Sequence, residues 1–167
     1  MKILKIALAA AMVLLLLSTE LSAKTQKATP RNRGELNVCT LTPASKEEVI
    51  HAVAGTPVVK NVDDIMIAAD MFKINPKLLV AIIIHETGWG KSYKYRKHFN
   101  VGGIKRRGGK FASHRESIFL LAKLLAEDYL DPHGRYYKGV RLKDINHYYC
   151  TTRTWAPKVE SIINRVF

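Results

Sequence analysis

The segment Asn75–Gly90, NPKLLVAIIIHETGWG, decides how the rest of the chain is organised. Asn75 is a favourable helix N-cap, and Pro76 suits the first turn, where its missing N–H is not needed. The seven residues after Lys77 are all apolar, and a helix that is apolar on every side must be buried on every side. Gly88 is suited to end the helix in a left-handed cap. The sequence therefore predicts a buried central helix between these two caps.

Glu86 lies in the last turn of this helix, where a negative charge is unfavourable. The helix dipole is negative at that end and apolar neighbours desolvate the group, so both effects favour the protonated carboxyl. A carboxyl that keeps its proton near neutral pH can act as a general acid, so Glu86 is the candidate catalytic residue. The alternative is an ordinary surface glutamate at a helix end.

His85 and Glu86 also begin like the zinc motif H-E-x-x-H. The fifth position of that motif is occupied by Trp89 instead of histidine, so the motif is incomplete. The other histidines do not complete a set with ligand spacing. We therefore predict no metal site and no cofactor.

Residues 1–23 have the pattern of a secretory signal peptide. Lys2 and Lys5 precede an apolar run of twelve residues, Ile6–Leu17, and the small residue Ala23 ends the segment. The run is too short for a membrane helix, which needs about twenty apolar residues. We predict cleavage after Ala23, a secreted or periplasmic protein of the cell envelope, and no stable membrane anchor after cleavage.

The remaining chain is strongly basic. The whole sequence has 27 Lys and Arg against 14 Asp and Glu, and removal of residues 1–23 leaves 25 against 13, a formal charge of +12. Such a protein is drawn to polyanions. For an exported protein these are the anionic polymers of a bacterial envelope, and nucleic acid is not predicted as a partner. Residues 24–35 lack large apolar side chains and predict a flexible basic arm, which leaves residues 36–167 for the folded domain.

Cys39 and Cys150 are the only cysteines of the chain. Export permits a disulfide, and two cysteines allow a single intramolecular pairing. We predict this bridge, which the chain-entropy account values at about 4 kcal/mol for a loop of roughly 100 residues. Two free buried thiols are the alternative.

Capping signals and apolar residues at helical spacing predict the other helices, over residues 46–53, 62–72, 113–129, 142–147 and 155–166. Ser45 with Glu48 and Ser113 with Glu116 form two capping boxes. Asn61 is the predicted cap of the helix that follows it. The fold class is mainly α.

Residues 87–115, which we call the basic lobe, differ from the helical segments. They contain no acidic residue and nine basic ones, with aromatic residues and glycines between them. Gly108 and Gly109 between basic flanks predict a β-hairpin. Nine basic residues with aromatic platforms indicate a surface for an extended polymer: Lys91, Lys94, Arg96, Lys97, Lys105, Arg106, Arg107, Lys110 and Arg115.

Two motifs carry a family resemblance: HETGWGKS at residues 85–92 and NVGGIK at residues 100–105. They are similar to the E-S-G-W-G-x-S and N-x-F-G-I-K motifs of the glucosaminidase family of bacterial peptidoglycan hydrolases (glycoside hydrolase family 73). FASHRES, residues 111–117, is similar to the family's segment between its small β lobe and the next helix. The resemblance covers roughly residues 62 to 166. It implies a lysozyme-like helical fold with a small β-hairpin lobe beside the active-site cleft.

The resemblance also implies the activity and the site. The activity is cleavage of the β-1,4 link after N-acetylglucosamine in peptidoglycan glycan strands, with Glu86 as the acid. Two departures from the family are Thr87 in place of serine and Trp155 in place of a cleft tyrosine. The residues implied for substrate binding are Trp89, Asn100, Gly102, Ile104, Phe111, Tyr149 and Trp155.

The identity of a second catalytic group stays open. Glycosidases usually need a second carboxylate, and the basic lobe has none. Glu116 is the first acidic residue after Glu86, but its position in a capping box predicts a structural role. Either the 2-acetamido group of the sugar is the nucleophile, or the 6-hydroxyl of muramic acid is, as in lytic transglycosylases. A hydrolase is the prediction, and a lytic transglycosylase or a muramidase is the alternative.

An alternative from another class is a non-catalytic basic module that binds envelope polyanions or nucleic acid. Stacking and phosphate contacts use the same aromatic and basic side chains that the basic lobe contains. Against it stands Glu86, which is costly to place at the end of so apolar a helix unless it is used.

Overall fold

The computed structural model describes residues 34–167. This part of the chain forms seven α-helices. Two 3₁₀ turns, Pro57–Asn61 and Arg106–Gly109, and one π-helical turn, Leu125–Leu130, connect or extend them. The helices are α1 (Lys46–Val53), α2 (Val62–Met71), α3 (Pro76–Thr87), α4 (Tyr93–His98), α5 (His114–Leu124), α6 (Leu142–Tyr149) and α7 (Trp155–Val166).

Helix α3 is the predicted central helix. The Asn75 side chain accepts the Lys77 N–H at 2.9 Å, and Gly88 ends the helix with φ of 54°, a conformation that glycine adopts without the penalty of a Cβ. The seven apolar residues after Lys77 are at most 1% exposed. Helices α7, α2 and α1 pack against α3, while α5 packs on α2 and α6 packs on α7. The apolar sequence of α3 is thus matched by a neighbour on each side.

The other helices follow their capping signals closely. In α1, Ser45 Oγ accepts the Glu48 N–H at 3.2 Å, and the Glu48 carboxylate accepts the Ser45 N–H at 2.7 Å. Ser113 Oγ accepts the Glu116 N–H at 3.1 Å at the start of α5. The π-helical turn prolongs α5 to Leu130, close to the predicted end.

Asn61 does not cap α2 as predicted. Its side chain makes no capping hydrogen bond, because a 3₁₀ turn leads directly into the helix and the Val59 carbonyl accepts the Val62 N–H. Asn61 Oδ1 instead accepts the Tyr95 hydroxyl at 2.5 Å. The residue therefore ties α2 to α4.

The β-hairpin predicted around Gly108 and Gly109 is not formed. Residues 106–109 form a 3₁₀ turn, and residues 99–105, directly upstream, form an irregular loop. This loop follows the helix α4, which is capped by Ser92 Oγ accepting the Tyr95 N–H at 3.2 Å. A hairpin needs two extended flanks that pair with each other. Within residues 34–167, pairing of the β type is limited to one isolated bridge, between Asn37 and Arg141.

The predicted disulfide between Cys39 and Cys150 is also not formed, and both cysteines are free. The N–H of Val38, beside Cys39, donates to the Val140 carbonyl at 2.9 Å, near the start of α6. Cys150 follows the other end of the same helix. The helix has eight residues and is therefore about 12 Å long, which exceeds the roughly 7 Å between Cα atoms that a disulfide spans.

The predicted signal peptide, residues 1–23, and most of the predicted arm lie outside the described residues. The last two residues of that arm are held against the domain. The Gly34 N–H donates to the Glu160 carboxylate, and Glu35 pairs with Arg141 at 3.0 Å and with Lys143 at 2.5 Å. From residue 34 onward, no helix is both long and apolar enough to cross a membrane.

Candidate active site

Glu86 is half-buried in the last turn of α3 and contacts α7. Trp155, the first residue of α7, donates its indole N–H to Glu86 Oε1 at 2.9 Å. The indole is only 1% exposed, so it lies behind the carboxylate within the core. The two residues are 69 positions apart in sequence, and the packing of α3 on α7 brings them together.

The other carboxylate oxygen of Glu86 faces the loop that follows α4. A Cβ built on Gly103 would lie 2.8 Å from Glu86 Oε2, and Gly103 has φ of 63°. This backbone conformation favours glycine, and a side chain here would displace the end of the Glu86 side chain. This residue was not among the predicted site residues.

Asn100 holds this loop in place. Its Nδ2 donates to the carbonyls of Ile104 at 2.7 Å and Gly109 at 3.0 Å, and its Oδ1 accepts the Ile104 N–H at 3.0 Å. The side chain is 3% exposed. These bonds replace the cross-strand pairing of the predicted hairpin. Contact of Asn100 with a substrate stays a prediction, and its amide is already engaged by the loop.

Tyr149 connects the loop to the end of α6. Its hydroxyl donates to the Gly102 carbonyl at 2.9 Å, and its ring lies 4.8 Å from the Trp155 ring. Burial, followed by the Glu86 charge, raises the pKa of Tyr149 well above its usual value, so the phenol stays protonated. At Gly102 a Cβ would lie 2.9 Å from Leu121 Cδ1, which leaves no room for the phenylalanine of the family motif.

Asn146 has a corresponding role on the α6–α7 side. Its Nδ2 donates to the Cys150 carbonyl at 2.8 Å and to the Thr152 carbonyl at 3.2 Å. Its Oδ1 accepts the Ala156 N–H at 3.2 Å. The side chain is 8% exposed. Sequence reasoning missed this residue, because a single asparagine inside a short helix gives no signal of its tertiary partners.

Thr87, the departure from the family's serine, keeps the function of a hydroxyl at this position. It is fully buried, donates to the Ile83 carbonyl at 2.6 Å and accepts the Gly90 N–H at 2.8 Å. The turn after α3 is thus fixed by the side chain next to Glu86. Trp89 lies in that turn with φ of 62°, and the Arg165 guanidinium lies 5.3 Å from its ring centroid.

Of the other predicted site residues, Ile104 lies in the loop that Asn100 holds, while Phe111 and Glu116 lie where the chain enters α5. Ile104 is half-buried in the loop, and Phe111 is 9% exposed and donates its N–H to the His98 carbonyl at 3.0 Å. Glu116, the possible second acid, accepts the Ala112 N–H at 2.8 Å. The roles predicted for these side chains toward a substrate stay predictions.

His85 borders the site on the side of Trp155. The two rings are edge to face with centroids 6.3 Å apart. Burial lowers the pKa of His85, opposed by the neighbouring Glu86 and assisted by Lys158. Among residues 34–167, no group of three or more His, Cys, Asp and Glu side chains is arranged to hold a metal ion.

The basic lobe is largely open to solvent. Arg115 contacts the helices twice: it pairs with Asp64 at 2.5 Å, and its guanidinium lies 4.6 Å from the Phe119 ring centroid. The basic side chains described as exposed are Lys91, Lys94, Arg96, Lys97, Lys105, Lys110 and Arg115. This end of the molecule therefore presents positive charge beside the site.

The family model described as glucosaminidase, mannosyl-glycoprotein endo-beta-N-acetylglucosaminidase, matches residues 62–166. This is more than half of the chain, so the chain belongs to the glucosaminidase family, and the resemblance seen in the sequence is confirmed. The protein is a glycoside hydrolase and not the non-catalytic basic module considered above. No curated protein matches the chain.

Two similar solved structures are of autolysin E from S. aureus. One is a complex with the muropeptide NAM-L-ALA-D-iGLU, with a TM-score of 0.66 and 20% identity over 83% of this chain and 73% of the autolysin chain. The other is a catalytic mutant in complex with the disaccharide NAG-NAM, with a TM-score of 0.65, 18% identity and the same coverage. The described residues therefore have the mainly helical, lysozyme-like fold of glucosaminidases.

Proposed function

We propose that this protein is an endo-β-N-acetylglucosaminidase that cleaves the glycan strands of peptidoglycan with Glu86 as the general acid. The observation that carries the proposal is the asymmetric environment of the Glu86 carboxylate. Its Oε1 accepts the Trp155 indole N–H at 2.9 Å, which leaves Oε2, beside Gly103, as the oxygen that carries the transferable proton. A positioned acid of this kind typically contributes 10²–10⁴-fold to a rate.

In this mechanism Glu86 protonates the glycosidic oxygen as the bond to the anomeric carbon breaks. The carbonyl oxygen of the 2-acetamido group attacks the anomeric carbon and forms a cyclic oxazolinium intermediate. Water then opens this intermediate, giving up a proton to the Glu86 carboxylate, and leaves a reducing N-acetylglucosamine end. Substrate assistance of this type is an established exception to the two-carboxylate rule.

The acetamido route is favoured by the distribution of acidic residues. Residues 87–115 contain none, and the Glu116 carboxylate accepts the Ala112 backbone N–H at 2.8 Å. We therefore assign Glu116 to the start of α5 and not to the chemistry. The same distribution keeps the lytic transglycosylase as the second candidate, because an attack by the 6-hydroxyl of muramic acid also needs no second carboxylate.

Trp155, Tyr149 and Asn100 act in this proposal as positioning residues. Trp155 is 1% exposed, and the polar groups of Tyr149 and Asn100 form hydrogen bonds with the loop beside Glu86. Trp89, Ile104 and the backbone at Gly102 and Gly103 are the groups proposed to line the sugar site. A carboxyl held between a fixed indole and a fixed backbone needs little reorganisation during the reaction.

Peptidoglycan is the proposed substrate for two reasons. The related autolysin structures hold a muropeptide and the disaccharide NAG-NAM, and the basic lobe provides positive charge for the acidic polymers that surround glycan strands in an envelope. Export by the predicted signal peptide would bring the enzyme to that location. Anionic envelope polymers are proposed as additional partners, while nucleic acid and a lasting membrane anchor are not.

The products distinguish the candidate reactions. Purified cell walls are digested, treated with borohydride and analysed by mass spectrometry. We expect reduced N-acetylglucosamine at the new ends. Anhydromuramic ends would identify a lytic transglycosylase, and reduced muramic acid ends would identify a muramidase. Absence of any cleavage, with folded protein present, would overturn the proposed function.

The electrostatic part of the proposal has a separate test. Binding of the protein to purified walls is measured by sedimentation at low and high salt. Because exposed charges are screened over about 10 Å at 0.1 M salt, we expect binding to weaken steeply as salt increases. Binding that does not change with salt would show that the basic lobe does not hold the wall by its charge.

A further inference from the structure

Four tyrosines form a continuous line of rings that begins at the catalytic centre and ends at the surface. Tyr149, whose ring packs on Trp155, lies 5.6 Å from the Tyr129 ring. Tyr129 lies 5.2 Å from Tyr136, and Tyr136 lies 5.6 Å from Tyr148. We call these four residues the aromatic row. It leads from the half-buried Tyr149 to Tyr148, which is 48% exposed.

The backbone beneath the aromatic row is firmly held. Tyr129 lies in the π-helical turn Leu125–Leu130, and such turns occur frequently at functional sites. The Tyr136 N–H donates to the Asp128 carbonyl at 2.7 Å. A Cβ on Gly134 would lie 2.5 Å from the Glu127 carbonyl oxygen, so the segment after the π turn lies directly on its backbone. The rings are therefore presented by a rigid support.

Cations accompany the outer rings of the row. The Arg135 guanidinium lies 5.2 Å from the Tyr136 ring centroid, and the Lys138 ammonium lies 5.6 Å from the Tyr148 ring centroid. A cation beside an aromatic face is attracted to it, by about 0.5–1 kcal/mol at an exposed site. Burial raises the pKa of Tyr129 to about 12, so its phenol stays neutral and can exchange hydrogen bonds with hydroxyl groups.

We propose that the aromatic row is a binding surface for the glycan strand beyond the bond that is cleaved, and that it selects acidic glycans. Sugar rings lie with their apolar faces on the exposed Tyr148 and the half-buried Tyr136, since a tyrosine offers one apolar body and one polar end. Arg135 and Lys138 bind the carboxylates that muramic acid and its peptide stems carry. This inference rests on the proposed function, because the row is continuous with the Trp155 and Glu86 pair.

Binding is measured with the Glu86→Gln protein, so that the ligand is not consumed. The ligands are soluble, uncross-linked peptidoglycan strands that retain their stems, the corresponding disaccharide, and neutral chito-oligosaccharides equal in length to the strands. We expect Tyr148→Ala to weaken binding of the long strands roughly five- to tenfold and to leave binding of the disaccharide unchanged. Tyr148→Phe, which keeps the ring, should restore most of the affinity. Tyr137→Ala, in the same segment as Tyr136, is the matched control and should bind as the parent protein does.

The choice of an acidic glycan is tested with Lys138→Ala and Arg135→Ala. We expect each change to reduce the preference for peptidoglycan strands over chito-oligosaccharides several-fold, with affinity for the neutral strands unchanged. A single-stranded DNA oligomer is the competitor for the other polymer class that aromatic and basic side chains bind. If this oligomer displaces the glycan from the parent protein, and its own binding is lost in Tyr148→Ala, the row is a nucleic-acid surface and the proposal is overturned.

Two further outcomes would also overturn it. One is equal binding of long strands by Tyr148→Ala and Tyr137→Ala. The other is an equal loss by Tyr148→Ala on long strands and disaccharide, which would indicate a purely structural effect. Failure of the proposed function would be recognised separately. In that case the parent enzyme would not cleave walls, while binding of long strands still depended on Tyr148.

Discussion

The two sides of Glu86 are constructed in different ways. On one side, the Trp155 indole is 1% exposed and is fixed by the packing of α7 on α3. On the other side, the Gly103 backbone belongs to a loop that is held by hydrogen bonds from two side chains, Asn100 and Tyr149. One hydrogen bond contributes about 0.5–1.5 kcal/mol to folding stability, and burial of a large aromatic ring contributes several times as much. The Glu86 carboxyl thus lies between an indole fixed by the core and a backbone segment held by a few hydrogen bonds.

This difference separates stability from activity. Changes on the α7 side should affect both quantities, because the same indole belongs to the core and to the site. Changes on the loop side should affect activity more than folding, because few apolar contacts are lost there. The following variants test this division.

The largest expected effect is that of Glu86→Gln. The amide oxygen can still accept the Trp155 N–H, but the transferable proton is lost, so cleavage should fall about 10²–10⁴-fold with an unchanged melting temperature. Dye release from labelled peptidoglycan and thermal unfolding measure the two quantities. Glu116→Gln is the matched control and should keep near-normal turnover. Activity of Glu86→Gln within about tenfold of the parent would contradict the assignment.

Gly103→Ala tests the loop side of the carboxyl. The new methyl would lie 2.8 Å from Glu86 Oε2, and displacement of a catalytic group by about 1 Å can cost on the order of 10²-fold in rate. Gly108→Ala is the control, because Gly108 also has a positive φ, 69°, but has open space at its Cβ position. Equal losses of activity in the two variants would attribute the effect to backbone strain alone.

Trp155→Phe tests the core side. Phenylalanine keeps most of the buried ring but removes the N–H that holds Glu86 Oε1. We expect kcat to fall by up to roughly tenfold with little change in KM, because a single orienting hydrogen bond is worth about 0.5–1.5 kcal/mol. We also expect a lower melting temperature. Tyr149→Phe leaves this N–H in place, so a smaller effect on kcat is expected. A melting temperature equal to that of the parent would contradict the division of roles.

Asn100→Ala should open the loop and reduce the rate of cleavage of the wall less than the changes at Glu86, Gly103 and Trp155. It removes three hydrogen bonds and leaves buried backbone groups without partners, at a cost of about 1–3 kcal/mol for a lost group. Limited trypsin digestion at Lys105 should become faster while the helical circular dichroism signal is retained. Asn146→Ala is the counterpart at the α6–α7 turn. It should lower the melting temperature but accelerate cleavage at Lys105 less than Asn100→Ala does. A greater acceleration in Asn146→Ala would show that the loop is held by other contacts.

The smallest expected effect concerns His85 and pH. Burial lowers the pKa of His85 in the folded protein, so the unfolded chain binds a proton more readily than the folded one. The contribution of the neutral ring is present above the unfolded value of about 6.5 and is lost as the pH falls through the lowered folded value. Melting temperatures measured across this range should decrease toward acid, and less so in His85→Gln. A variant with the same pH dependence as the parent would remove His85 as a cause.

Much of the helical framework could be predicted from the sequence. The caps at Asn75, Gly88 and Ser45 are local, since each depends on a few neighbouring residues. Helix α7 begins at Trp155 and ends at Val166, as the apolar spacing predicts. The predicted hairpin is absent because its formation is not local. A pair of glycines permits a turn, but a hairpin also needs two extended flanks that pair with each other. Here the Asn100 amide binds the backbone of the loop instead.

What the sequence determined by itself about this protein is the buried helix α3, its ends, and the delivery of a carboxylate at its C-terminal end. These follow from residues adjacent in the chain. Only the tertiary structure decided that Trp155, 69 residues away, binds this carboxylate, that Tyr149 binds the Gly102 carbonyl, and that Cys39 and Cys150 stay apart. The physical reason is that such contacts depend on how whole helices pack, and spacing along one helix carries no information about which distant side chain its end will meet.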